Sequence, residues 1–287
     1  MVVWLTPQPR AKINMENQST YPIVSSNTLF HFTDNIEYLL GILRNNFRPR
    51  YCLEVFDDSV GIQMAEIAED VNFAVPMVCF CDMPLSLTAK HLATYGYYGI
   101  GLTKKWGMSK GLNPILYCHS ESTLINILGD SSWTIDYLRG QEDLSENVES
   151  TLNRVSWNNA FLSCFMKPYE GLVTREGASP RNVRFYDERE WRFVPQIPPE
   201  TDLPPVIYEV NAKNPLMMTD YNQRLYECDE AALEFTPNDV RYIVVKDESE
   251  LLDIEAQIDT LKEEYSEPER RLLKTRLISS QHILEDF

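Results

Sequence analysis

The chain has 287 residues, of which 44% are hydrophobic and 24% are charged, a composition that supports a full core and excludes a disordered protein. Its net charge of -17 disfavours nucleic acid as a general partner, except through a local basic patch. No apolar run reaches the roughly 20 residues of a membrane helix, and the first residues lack a signal-peptide core. Six scattered cysteines favour reduced thiols. We therefore expect a cytoplasmic protein with no membrane partner.

The first half of the chain predicts an irregular arm followed by strands and one helix. Residues 1–26 lack periodicity, whereas "NTLFHFT" (27–33) alternates like a half-buried strand. "DNIEYLLGILRNNF" is typical of an amphipathic helix, with Asp34 and Glu37 at the spacing of a capping box. Further strands are predicted around "RPRYCLEVF", "FAVPMVCFCDMP", "YGYYGIGLT" and "NPILYCH", with "KKWGMSKG" as a polar connection between the last two.

The second half predicts a helical insertion, more strands and a helical tail. Residues of about 120–160 have helical spacing and an acidic, solvated centre. Strands return in "FLSCFMKPYEG", "NVRFYDEREWRFVP", "PPVIYEVNA" and "DVRYIVV". Residues 248–287 form a charged helical tail that breaks near Pro268, and we expect its apolar face to pack on the core. The prediction is one α+β domain over 27–247, followed by this tail.

The stretch "YDEREWRFVP" (186–195) places two glutamates on either side of one arginine. In a continuous strand, Glu188 and Glu190 share a face and lie roughly 6.5 to 7 Å apart. Two carboxylates at that distance raise each other's pKa where water is scarce. The alternative is a solvated strand edge, with both glutamates in structural ion pairs with Arg189, Arg192 or Arg184.

Two other groups of residues suggest ligand sites. A zinc set could come from two cysteines on one strand and nearby acidic and imidazole groups, although the spacing matches no recognised zinc pattern, and we expect no metal; the candidates are Cys79, Cys81, Asp82, His91, Cys118 and His119. A basic patch beside the cleft could bind a pyrophosphate; the candidates are Arg48, Arg50, Lys104, Lys105, Lys110, Arg181 and Arg184. No glycine-rich dinucleotide fingerprint is present.

Three motifs resemble the His, Tyr and Glu plan of the ADP-ribosyltransferase fold. They are "HFT" at His31, "HLATYGYYGIGL" with aromatics before a strand, and "DEREWRFV", which is similar to the "EKEWR" strand of bacterial families placed near that fold. The resemblance implies two small twisted sheets around a cleft that binds NAD as a substrate. The middle Ser-Thr-Ser strand of that plan is missing, since "YGIGLT" stands in its place, and this leaves the choice of tyrosine open.

Longer stretches resemble the AbiGi family of abortive phage resistance proteins. These are "LFHFTDNIEYLLGILRNNFRPRYC", "AVPMVCFCDMPLSLTAKHLATYGYYGIGLTKKWGMSKGLNPILY" and the final "ILEDF". Members of that family are described as antitoxins partnered with a nucleotidyltransferase-like toxin. This resemblance implies a role in phage defence and a toxin, or another defence protein, as the partner.

The transferase resemblance assigns a role to each candidate residue. Cleavage of NAD passes through a cationic, oxocarbenium-like transition state, which a carboxylate at Glu190 would stabilise. Glu188 would orient or deprotonate the acceptor, and His31 with Thr33 would hydrogen-bond a ribose. Tyr97 or Tyr98 would stack on nicotinamide. The first hypothesis is therefore an NAD-dependent ADP-ribosyltransferase or NAD-cleaving enzyme with an unknown acceptor.

Each of these residues also has a purely structural interpretation. His31 lies between two phenylalanines and could be a core histidine, and the tyrosines among glycines could form a packed turn. The second hypothesis is a non-catalytic antitoxin of the same fold, whose acidic surface or tail complements a basic toxin. The presence of both glutamates favours the enzyme.

Overall fold

The computed structural model describes residues 25–54, 73–119, 121–141, 144–173, 181–197, 199–208, 214–261 and 264–286. The predicted N-terminal arm therefore lies almost entirely outside the described residues. In the described part of the chain, no helix is both long and apolar enough to cross a membrane. All six cysteines are free thiols, as the sequence predicts.

The protein is an α+β fold built on one mixed sheet. The strands are β1 (Thr28–Thr33), β2 (Arg50–Glu54), β3 (Phe73–Cys81), β4 (Tyr98–Thr103), β5 (Asn113–Pro114), β6 (Leu116–Cys118), β7 (Met166–Pro168), β8 (Gly171–Val173), β9 (Arg181–Val183), β10 (Glu190–Phe193), β11 (Ile207–Tyr208), β12 (Val240–Val245) and β13 (Leu277–Ser279). The helices are α1 (Ile36–Asn45), α2 (Ala89–Tyr95), α3 (Lys104–Ser109), α4 (Thr123–Arg139), α5 (Glu146–Ser163), α6 (Pro215–Glu227), α7 (Leu251–Ile258), α8 (Glu267–Lys274) and α9 (Ser280–Asp286).

Nine of the thirteen described strands form one sheet, whereas the transferase resemblance implies two small sheets around a cleft. The order is β13-β12-β4-β1-β3-β10-β5, and β2 and β11 also pair with β3. The long strand β3 explains the continuity, because its first half pairs with β2 and β11 and its second half with β10 and β1. The pairs β6-β7 and β8-β9 stand apart as two-stranded sheets.

The main core lies on the sheet face that α1 covers. Leu39, Leu40 and Leu43 of α1 are buried there against Leu29 of β1 and Ile100 of β4. The helix begins as the sequence predicts, but its cap is Asn35, whose side chain accepts from the Glu37 backbone N–H at 2.9 Å. The predicted Asp34 cap is therefore wrong by one residue, because Asn35 is the residue with the extended backbone that a cap requires.

The C-terminal segment completes this core instead of forming a purely helical tail. Ile254 and Ile258 of α7 and Leu273 of α8 are buried in the main core. The strand β13, which helical periodicity does not predict, pairs in parallel with β12 at the edge of the sheet. Pro268 lies in the first turn of α8, where a proline is tolerated, so the predicted break between the helices is confirmed.

Two further differences from the predicted elements have local causes. The polar connection "KKWGMSKG" contains the short helix α3, capped by Thr103 and anchored by Trp106, whose side chain is buried in the core. Helix α6 follows Asn214, whose side chain caps it, in a stretch where the apolar residues lack clear helical spacing. The stretch predicted as a helical insertion, residues of about 120–160, contains the helices α4 and α5, which pack against each other.

Candidate functional site

The strand that carries the two glutamates is shorter than the sequence predicts. Strand β10 begins at Glu190, whereas Glu188 ends a 3-10 turn, Phe185–Glu188. Between them, Arg189 adopts a left-handed backbone conformation with φ 49°, which interrupts the alternation of side chains. The prediction that both glutamates share one face of a continuous strand is therefore wrong, because the chain turns before Glu190.

Lys167 nevertheless brings the two carboxylates together. Its ammonium group lies 2.7 Å from Glu188 Oε2 and 2.9 Å from Glu190 Oε2. The lysine stands in the middle of β7, with its cation 4.9 Å from the centre of the Phe185 ring. The pair of like charges that the sequence presents is thus held by a cation between them.

Arg192 binds the other side of Glu190. Its side chain is fully buried and donates to Glu190 Oε1 at 2.9 Å through Nε. Its two remaining nitrogens donate to Glu54 Oε1 and to the Cys164 carbonyl oxygen, both at 2.6 Å. Glu190 and Arg192 share a strand face because they are two residues apart. The guanidinium therefore connects β10, β2 and the end of α5.

The charges of this cluster determine how Glu190 titrates. Burial by itself raises the pKa of Glu190, but attraction to Arg192 and Lys167 outweighs it and lowers the pKa to about 2. Burial raises the pKa of Glu54, against the attraction of Arg192. Burial lowers the pKa of Lys167, but its carboxylate neighbours raise it above the usual lysine range. Glu190 is therefore a stable anion in a buried ion-pair network.

Only Glu188 of the two glutamates lines a cleft. The cleft has a volume of about 390 Å³ and is lined by Lys90, His91, Thr94, Tyr95, Glu170, Asn182, Val183, Arg184, Asp187 and Glu188. Glu190 does not appear in this lining and is 6% exposed. Of the two candidate glutamates, Glu188 is therefore the one that a small ligand in this cleft could reach.

Helix α2 supplies an aromatic hydroxyl and an imidazole to this cleft. The Tyr95 hydroxyl donates a short hydrogen bond to Glu188 Oε1. The rings of His91 and Tyr95, one helical turn apart, have centroids 5.6 Å apart. His91 is 6% exposed, and its Nε2 has no hydrogen-bond partner among the described residues. Burial lowers the pKa of His91, which favours the neutral ring.

The predicted ribose ligands His31 and Thr33 lie on the opposite face of the sheet from Glu190. Cys81 pairs with both Phe30 and Glu190, so those two residues share a face and His31 points to the other. His31 Nδ1 donates to the Cys79 carbonyl oxygen at 2.8 Å, and its ring packs against Phe47 and Phe80. Burial lowers the pKa of His31. The structure gives it the contacts of a core histidine.

The predicted tyrosines Tyr97 and Tyr98 also lie away from the two glutamates. Tyr98 pairs with Thr33 and donates to Glu250 Oε1 at 2.8 Å. Tyr97 is 38% exposed, and its carbonyl oxygen accepts from the Ser280 hydroxyl. Within this aromatic run, the tyrosine that contacts a candidate glutamate is Tyr95, the first of the run.

The zinc set and the basic patch do not assemble in the described residues. No group of three histidine, cysteine or acidic side chains there is arranged to hold a metal. Members of the basic set instead form separate ion pairs: Lys104 with Asp82 at 2.7 Å, and Arg184 with Asp187 at 2.7 Å. Of that set, Arg184 lines the cleft.

Sequence reasoning missed three residues of this site. Lys167 and Glu54 are far from the glutamates in sequence and carry no local signal. Tyr117, whose hydroxyl accepts from the Glu190 backbone N–H at 2.9 Å, is equally remote. The pair His91 and Tyr95 was detectable, because a spacing of four residues places two side chains on one face of a helix.

Comparisons with known proteins identify the family of this chain. The family model described as "Putative abortive phage resistance protein AbiGi, antitoxin" matches residues 45–246. The abortive phage resistance protein AbiGi of Lactococcus lactis subsp. cremoris is 26% identical, over 84% of this chain and 99% of its own length. No solved structure matches the chain. Because the family model covers more than two thirds of the sequence, this chain belongs to the AbiGi family of abortive phage resistance proteins.

Proposed function

We propose that this chain acts in phage defence as an antitoxin that neutralises a partner toxin by binding it, without chemistry of its own. The family description names an antitoxin, and the relative in Lactococcus lactis is an abortive phage resistance protein. The observation that carries the non-catalytic part is the saturation of Glu190, whose two carboxylate oxygens are bound by Arg192 and Lys167.

This saturation opposes the role that the transferase plan gives to Glu190. A carboxylate stabilises a cationic sugar only when it faces that sugar across a small gap. Glu190 is buried and lies outside the cleft lining, and two cations already neutralise it. His31 and Thr33 point away on the other sheet face. Glu190 is therefore better explained as a member of a structural ion-pair network than as a catalytic carboxylate.

The charge of the chain suits a binding role. A net charge of -17 attracts a basic partner over several ångströms and speeds its association. The same field repels polyanions, including the nucleic acid of an infecting phage. Binding to a basic toxin is therefore favoured over direct action on nucleic acid.

A growth assay tests whether neutralisation depends on the glutamates. The protein encoded next to this chain, taken as the candidate toxin, is induced in cells together with the wild type, Glu188→Gln, or the exposed control Glu37→Gln. A binding antitoxin predicts equal rescue of growth by all three, because Glu188→Gln removes a carboxylate that lines the cleft without removing the buried Glu190. Loss of rescue by Glu188→Gln alone, at equal protein levels, would contradict the proposal.

The cleft supports a second candidate, an NAD-cleaving or ADP-ribosylating enzyme centred on Glu188. The observation that favours it is the convergence of Glu188, Tyr95 and the buried His91, whose Nε2 has no hydrogen-bond partner among the described residues, on one cleft of about 390 Å³, a volume typical of small-molecule sites. In this variant of the ADP-ribosyltransferase plan, Glu188 replaces Glu190 and Tyr95 replaces Tyr97 or Tyr98.

Nicotinamide release distinguishes the two candidates. The purified chain is incubated with NAD alone and with the partner toxin as acceptor, beside Glu188→Gln and Glu37→Gln. The enzyme predicts release that Glu188→Gln reduces by about 100-fold or more, as expected when a charge-stabilising group is removed. The binding antitoxin predicts no release above the rate without protein.

A further inference from the structure

The helical insertion exposes more apolar surface than any other part of the described chain. The hairpin surface, defined as the solvent-facing side chains of α4 and α5, holds nine of the 21 large hydrophobic residues that are exposed in the described residues. Trp133 is 54% exposed, Tyr137 56% and Trp157 46%. Such a concentration of exposed aromatics marks an interaction site in a protein that is otherwise well packed.

Few side chains of the two helices contribute to the core. Leu128 and Ile135 are the buried large side chains among the described residues of α4, and Leu152 is the one in α5. The helices join each other through polar contacts, with Asn159 donating to Ser131 Oγ at 2.8 Å and Arg139 donating to Asn153 Oδ1 at 2.9 Å. Neither of these hydrogen bonds involves the exposed aromatic side chains.

The exposed aromatics are already ordered for contact. The rings of Trp133 and Tyr137 stack with centroids 5.3 Å apart and an angle of 17° between their planes. Trp157 stacks in the same way on Phe161, which packs into the core beneath it. Stacking restricts the rotamers of these side chains before a partner arrives, which lowers the entropic cost of binding. Tryptophan and tyrosine are among the residues that most often contribute a large part of the binding free energy at protein interfaces.

We infer that the hairpin surface is the docking site for the partner toxin, and that the toxin presents an apolar groove bordered by lysine and arginine. This inference rests on the proposed antitoxin function. Residues 123–163 contain six acidic and two basic residues, a net charge of -4. Asp130, Glu146 and Glu149 are exposed on the same helices as the aromatics. Basic side chains around an apolar groove complement both features.

The charge of the chain also disfavours a second copy of itself as the partner that binds the hairpin surface. Two hairpin surfaces in contact would bring two sets of acidic residues together, within two chains that each carry a net charge of -17. Like charges in contact across an interface oppose association. The same acidic residues attract a basic partner.

Calorimetric titration of the purified toxin with the full chain tests the inference. The variant Trp133→Ala plus Trp157→Ala removes two exposed rings, and Tyr38→Ala removes a matched ring, 59% exposed, on the opposite side of the fold on α1. We expect the Kd of the double variant to rise by at least about 30-fold and that of Tyr38→Ala to stay within about twofold. Unchanged unfolding midpoints confirm that both variants are folded.

The remaining outcomes separate the two proposals. If the wild type binds the toxin tightly and the double variant binds it equally well, the hairpin surface is not the docking site. The antitoxin function then still stands. No binding by the wild type overturns both. If sedimentation shows a wild-type dimer that the double variant loses, the occupant is a second copy and the inference of a basic toxin fails. A Kd that rises with salt and with Asp130→Lys plus Glu149→Lys supports the basic groove.

Discussion

At the scale of single residues, Glu190 has the environment of a structural anion. Attraction to Arg192 and Lys167 holds its pKa at about 2, whereas an unpaired glutamate titrates near 4.5. Because the folded pKa is the lower one, the stabilising effect is fully present above pH of about 4.5 and is lost as the pH falls toward 2. A lowered pKa of this kind is typical of a carboxylate in an ion pair, whereas a carboxyl group that acts as a general acid has a raised pKa.

Glu190→Gln should therefore destabilise the protein most at neutral pH. We expect a loss on the order of 3 kcal/mol in the free energy of unfolding at pH of about 7, because the change leaves two buried cations without their shared anion. The difference from wild type should shrink as the pH falls below about 4.5. Urea unfolding across this pH range, with Glu37→Gln as the control, measures it. A gap that is constant with pH would refute the assigned ion pairing.

Gly96 occupies a position that only glycine fits. Its φ is 119°, and a Cβ atom there would lie 2.2 Å from the Thr33 carbonyl oxygen. Gly96→Ala should lower the unfolding free energy by more than about 2 kcal/mol. Gly41 of α1 has nothing within 4 Å of its Cβ position, so Gly41→Ala should stabilise the helix by up to about 1 kcal/mol. Urea unfolding of both variants measures these two changes in unfolding free energy. Equal changes for Gly96→Ala and Gly41→Ala would contradict the prediction.

At the scale of elements, the sequence predicted strands and helices with clear periodicity and missed those fixed by distant contacts. Strands β1, β3, β4 and β12 and helix α1 follow from alternation or helical spacing. β13 has three residues and exists because β12 offers it an edge. β10 starts at Glu190, four residues into the stretch 186–195 whose alternation predicts a strand, because Arg189 turns the chain. Neither the strand β13 nor the late start of β10 can be recognised from the spacing of apolar residues in the sequence.

The candidate site shows the same limit. The pairing of Glu190 with Arg192 follows from their spacing of two on a strand, so an ion pair was within reach of the sequence. Lys167 was not, because the chain between β7 and β10 returns through a separate two-stranded sheet before the charges meet. His31 was assigned as a ligand by the transferase resemblance, and the alternation of its strand does not tell which sheet face it occupies relative to a remote strand.

Packing of α7 on the core is a prediction about an element that mutation can test. Ile254 is fully buried and Leu252, two residues earlier on the same helix, is 73% exposed. Ile254→Ala should lower the unfolding free energy by about 2 to 5 kcal/mol, and Leu252→Ala by less than about 0.5 kcal/mol. Similar losses for both, measured by urea unfolding, would mean that the helix is not docked as described.

At the scale of the whole molecule, three features support a protein that works by binding. The strongly acidic composition favours a basic partner, the buried charge network occupies Glu190 with ion pairs, and the exposed hairpin surface offers aromatic contacts. Among the described residues, the cleft at Glu188 is the feature that favours chemistry, and it shares no residue with the hairpin surface. Binding and catalysis are therefore separable by mutation.

The stoichiometry of toxin neutralisation tests the central claim most directly. The residual activity of purified toxin is measured after addition of increasing amounts of the chain and at several incubation times. Our account predicts that inhibition grows in proportion to the chain added, is complete near one chain per toxin, and does not increase with time after binding equilibrium. Complete inactivation by a small fraction of one equivalent, advancing with time, would contradict it and identify an enzyme.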